Sequence, residues 1–95
     1  MAAYLIAQIT VDDPDEYVKY ASQTVALAAE FGGRFLAKGG GAEQLEGSGP
    51  ERNVIIEFPD RDAALRWYRS DAYQALAAIR RRAASVSNMV VVDGV

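Results

Sequence analysis

The sequence predicts one α+β domain spanning residues 1–95, ordered βαββαβ, with a four-stranded antiparallel sheet and its helices on one face. Three observations predict it. Apolar residues alternate with period two in four stretches, they recur at helical spacing in the segments between, and glycines or Asp, Ser and Pro helix-start residues mark changes of period. The stretch Gly32-Gly33-Arg34-Phe35-Leu36-Ala37-Lys38-Gly39-Gly40-Gly41 contains all three in small: glycines stop a helix, five residues alternate, and glycines release the chain.

Residues 4–11 form the first strand. Leu5, Ala7, Ile9 and Val11 share one face, and Tyr4, Ile6, Gln8 and Thr10 the other. Asp13 then has the side chain of a helix N-cap, Pro14 suits the first helical position, and Glu16 completes a capping box. Tyr17, Tyr20, Ala21, Thr24, Ala28 and Phe31 give that helix one face for a sheet, and Gly32 or Gly33 ends it. The second strand is Arg34–Lys38, with Phe35 and Ala37 on one face and Arg34, Leu36 and Lys38 on the other. Residues 39–50 form a long glycine-rich connection in which Gln44-Leu45-Glu46 can add a short bridge; connections of this length are often mobile or functional. Residues 53–58 are the third strand, rich in β-branched residues. Asp60 caps a helix carrying Ala64, Leu65, Trp67 and Tyr68, and Ser70-Asp71 starts a second helical piece to about residue 82 with Tyr73, Leu76, Ala77 and Ile79 inward. Residues 89–93 make the last strand.

Composition removes several functions. There is no cysteine and no histidine, so thiolate chemistry, disulfides and the commonest general base and metal ligand are absent. We expect no metal and no cofactor. A net charge of −3 without a block of one sign argues against nucleic acid or a membrane surface as partner. The apolar run at residues 2–7 is too short to span a bilayer and lacks a basic leader, so a cytoplasmic location is the expectation.

The usual solution for βαββαβ is the ferredoxin-like split βαβ sheet, with strand order 4-1-3-2 or, by pattern alone, 4-1-2-3. Its second sheet face carries Tyr4, Ile6, Gln8, Leu36 and Ile55 beside Arg34, Lys38, Asn53 and Glu57. A chain this short buries only about two-thirds of its unfolded surface, so leaving that face bare is unfavourable and a second copy is the expected cover.

Several motifs together give a specific resemblance. They are Gly-Gly-Arg-Phe-Leu-Ala-Lys-Gly-Gly at 32–40, Leu-Glu-Gly at 45–47, Arg-x-Val-Ile-Ile-Glu-Phe-Pro at 52–59, and Trp67-Tyr68-x-Ser70-x-x-Tyr73-Gln74. With Tyr4-x-Ile6 and Asp13-Pro14-x-x-Tyr17, they span nearly the whole chain, which resembles the family known as domain of unknown function 1330, in the dimeric α/β-barrel superfamily. Asp71 departs from the proline the family often has after the serine, but it still suits a helix start. The resemblance implies a homodimer whose two sheets close a barrel, and it implies no reaction.

Among polar residues, Arg34 and Glu57 share the bare face. If they lie opposite, Leu36 meets Ile55 and Lys38 meets Asn53. Functionally this is a carboxylate base beside a cation that holds an acidic or carbonyl ligand; structurally it is an ion pair buried between subunits. Tyr17, one turn into the first helix, is the second catalytic candidate, and Lys38, Tyr68 and Arg80 join Arg34 as candidate ligand-binding residues. Arg80 shares a helical stripe with Tyr73 and Ala77, so its stem can pack inward while its charge reaches a carboxylate. Gly39-Gly40-Gly41 is not a phosphate loop, because no Lys-Ser/Thr follows and no helix begins there. Two functions compete: a small-molecule enzyme or binder using a polar barrel cavity, and a non-catalytic dimeric sensor or structural module. An open cavity touching Arg34, Glu57 and Tyr17 would favour the first, and a filled one the second.

Overall fold

A computed structural model describes residues 1–95 as four strands and three helices. The strands are β1 (Ala3–Val11), β2 (Arg34–Lys38), β3 (Arg52–Phe58) and β4 (Ala84–Asp93); the helices are α1 (Pro14–Glu30), α2 (Arg61–Arg69) and α3 (Asp71–Ala83). They form one antiparallel sheet of order β2-β3-β1-β4, the ferredoxin-like arrangement with β1 and β3 central. No helix is long and apolar enough to cross a membrane.

Local chemistry sets the helix ends. The Asp13 carboxylate accepts from the Glu16 amide at 3.1 Å, and Asp60 accepts from Ala63 at 2.7 Å. Ser70 works in both directions, donating to the Trp67 carbonyl at 2.7 Å and accepting from the Tyr73 amide at 3.1 Å, which produces the joint between α2 and α3. The capping box at α1 is only half formed. The Asp13 amide donates to the Ala83 carbonyl, and Glu16 turns instead to Lys19 at 2.9 Å and Arg82 at 3.1 Å. Gly32 takes a φ of 81° just beyond the end of α1, a conformation that side-chain-bearing residues rarely adopt.

The core lies between the sheet and the helices. Leu5, Ala7 and Ile9 from β1 and Val54, Ile56 and Phe58 from β3 meet Tyr17, Tyr20, Ala28, Trp67 and Tyr73. On the other sheet face, Leu36 on one edge strand is 49% exposed, and Val90 on the opposite edge strand is 55% exposed with Val92 nearby. The last strand begins five residues earlier than its β-branched stretch suggests, because pairing with β1 extends it to Ala84. The Gln44-Leu45-Glu46 bridge is not formed; residues 40–49 are irregular and exposed.

One register differs from expectation. Arg34 does pair with Glu57, and Phe35 with Ile56, but Leu36 is an extra residue in β2, so Ala37 pairs with Ile55 and Lys38 with Val54. A bulge of this kind shifts every later side chain to the opposite face. Lys38 therefore leaves the open face and joins the side that carries the helices.

Candidate functional site

The sheet divides the candidate residues into two groups. On the open face, Arg34 Nε donates to Glu57 Oε1 at 3.0 Å, and the Tyr4 hydroxyl donates to Glu57 Oε2 at 3.3 Å. The Arg34 side chain is 74% exposed, so in one chain this is a surface pair. Gln8 and Asn53 make a second cross-strand hydrogen bond there, at 3.2 Å. Tyr17 lies on the other side of the sheet, and the cleft that it lines touches neither Arg34 nor Glu57.

On the helix side, the bulge brings Lys38 to a cleft that it shares with Tyr17 and Arg52. Arg52 faces inward because it occupies the same alternating row of β3 as Val54, Ile56 and Phe58, and it pairs with Ile9. Its guanidinium lies 5.0 Å from the centre of the Tyr17 ring, and its Nε donates to the Tyr17 hydroxyl at 3.2 Å. Lys38 Nζ sits 5.6 Å from the centre of the Phe35 ring. Neither Lys38 nor Arg52 has a carboxylate within ion-pair distance. Burial pushes the Tyr17 hydroxyl above its ordinary value, so it stays protonated and acts as a donor at neutral pH.

The cleft behind these residues is apolar and tight. Its volume is about 20 Å³, room for roughly one water. Arg52 and Ile9 also border a much wider groove, about 1250 Å³, under the 39–51 connection. Arg52 thus stands between the groove and the cleft.

Deeper in, α3 contributes Tyr73 and Arg80, and α1 contributes Tyr20. The two tyrosine hydroxyls are 2.7 Å apart, and Arg80 Nη1 donates to the Tyr73 hydroxyl at 2.5 Å and approaches Met89 Sδ at 3.4 Å. Arg80 does pack inward, but its charge reaches no carboxylate; it meets two phenols and a thioether. Burial raises the Tyr73 hydroxyl far beyond the normal range, so it is neutral throughout. Tyr68 packs its ring on Tyr73 at 5.6 Å between centres and lies outside the cleft lining.

The sequence reading missed Arg52 and Tyr20 as members of the site. A signal for Arg52 was present in the parity of residues 52, 54, 56 and 58. No grouping of histidine, cysteine and carboxylate residues can hold a metal ion.

The sequence profile of the family described as "Domain of unknown function (DUF1330)" matches residues 2–95. No curated protein matches the chain. Among solved structures, a protein of unknown function from Rhodopseudomonas palustris is similar at a TM-score of 0.76 and 17% identity, covering 99% of this chain and 82% of its own. A dimeric ferredoxin-like protein of unknown function from Jannaschia sp. CCS1 superposes at 0.75 and 14% identity, covering 99% of this chain and 100% of its own. SnoaB, a cofactor-independent oxygenase from Streptomyces nogalater, superposes at 0.69 and 16% identity, covering 99% of this chain and 93% of its own. At these identities the likeness establishes the fold.

Proposed function

This chain belongs to the family of domain of unknown function 1330, and from that premise we propose that it is a homodimeric protein that binds a small, largely apolar anion at Tyr17, Lys38 and Arg52. One observation carries the reading: two cations and a protonated phenol converge on an apolar cleft with no carboxylate in its lining and no ion pair to either cation, while Glu43, Glu46 and Glu51 line the wider groove outside. Arg52 is half-buried and Lys38 exposed; a half-buried cation is normally paired, and a ligand carboxylate or enolate supplies the partner that Arg52 lacks. The similarity to SnoaB supports a small organic molecule as the ligand.

The chemistry open to this site is limited. No carboxylate lines the cleft, so it has no group poised to abstract a proton. Its residues stabilise negative charge and donate one hydrogen bond. The cleft at rest has room for about one water, so in this reading Arg52 moves outward to admit the ligand.

The dimer part of the proposal rests on the open sheet face, where Leu36, Val90 and Val92 are exposed, and on the dimeric relative from Jannaschia. In this reading Arg34, Glu57 and Tyr4 serve the subunit interface. Titration calorimetry with benzoate and phenylacetate tests the site. We expect saturable binding to the parent protein that falls at least about tenfold in Arg52→Met, as loss of a charge-assisted contact implies. Equal binding by parent and variant, or none by either, would refute it.

A further inference from the structure

Arg80 is 4% exposed, cannot lose its proton at physiological pH, and belongs to none of the four ion pairs of the chain. Its Nε is buried with no hydrogen-bond partner. A buried guanidinium flanked only by neutral groups is costly unless an anion reaches it. Two of its contacts, Met89 and Tyr20, are also walls of the cleft that opens at Arg52.

Arg52 lines the cleft, and Arg80 lies behind the wall that Tyr20 and Met89 form. Arg52 lies 5.0 Å from the Tyr17 ring centre, the Tyr17 and Tyr20 rings are 5.4 Å apart, and the Arg80 guanidinium lies 5.8 Å from the Tyr20 ring centre. The cleft walls are mostly apolar, with Leu5, Ala7 and Ile56 on the sheet side. Two of its lining side chains are long and unbranched: Arg52, which also borders the wide groove, and Met89, which touches Arg80. Such side chains change rotamer at low cost, so the tight resting cleft can lengthen.

We propose that the ligand of this cleft carries two acid groups joined by an apolar spacer, one acid held by Arg52 and Lys38 and the other by Arg80. The inference rests on the anion site proposed above and adds the second acid. The Tyr73 hydroxyl, bonded to Arg80, fixes the direction of the guanidinium. A monoacid satisfies only the outer cations and leaves Arg80 unpaired.

The test compares straight-chain dicarboxylates from succinate to suberate with monocarboxylates of the same carbon number, by titration calorimetry on the purified protein at pH 7.5. We expect one dicarboxylate length to bind at least about tenfold tighter than its matched monocarboxylate. Arg80→Met should remove that preference, bringing the dicarboxylate to the affinity of its matched monocarboxylate. Should Arg80→Met fail to fold, the length series on the parent protein decides, since it needs no variant. Monocarboxylates binding as tightly as dicarboxylates at every length would overturn the second acid and leave the Arg52 site standing. An Arg80→Met protein that folds and keeps the preference would also overturn it. No binding by either series would overturn both readings.

Discussion

Arg52 lies across Gly39. A side-chain carbon on Gly39 would fall 2.7 Å from Cζ of Arg52, and Gly39 holds a φ of +72° where β2 ends. The missing side chain therefore does two things: it permits the turn, and it lets the guanidinium lie back onto Tyr17.

Gly39→Ala separates these roles. The colliding atoms run from Cγ to the guanidinium of Arg52, a flexible side chain that can move, but the backbone strain remains. We expect a loss of about 1–3 kcal/mol of stability in urea unfolding, together with weaker binding of acids as Arg52 is displaced. An alanine variant with the parent's midpoint would show that the turn carries no strain.

The exposed strip on the open sheet face predicts the effect of Val90→Asp. Val90 pairs with Ile6 and is 55% exposed in the single chain. A buried, unpaired carboxylate at a subunit interface is strongly unfavourable, so light scattering should report monomer or unfolded chain. Unchanged dimer mass would exclude this face as the interface.

Arg34 and Glu57 should couple weakly in a single chain and strongly in a dimer. With the arginine largely in solvent, a double-mutant cycle using Arg34→Met and Glu57→Gln should give about 0.2–1 kcal/mol under monomeric conditions. Coupling should grow at protein concentrations that favour association, because burial removes the solvent screening. Coupling that does not change with concentration would place the pair outside the interface.

Glu16 predicts an acid limb. Hydrogen bonds from Lys19 and Arg82 hold its carboxyl below the ordinary 4.5. A depressed carboxyl contributes stability above its unfolded value and loses it as pH falls through the folded one. The parent should therefore lose more thermal stability than Glu16→Gln between about pH 5 and pH 3. Parallel melting curves for the two proteins across that window would contradict the assignment.

The sequence by itself determined whatever depends on near neighbours. Asp13, Asp60 and Ser70 cap helices because their side chains reach amides three residues on, and Gly32 ends α1 because few other residues tolerate its φ. The order of elements and the inward rows of β1 and β3 follow from periodicity for the same reason. Tertiary structure decided what depends on pairing across the chain. The extra residue at Leu36 is visible only against β3, and it carries Lys38 from one face to the other. The thickness of the sheet separates Glu57 from Tyr17, residues that parity alone could not order in space. Arg80 read as a stem with a carboxylate within reach, yet the fold surrounds it with Tyr73, Tyr20 and Met89, because the partners of a buried charge are set by which elements pack together.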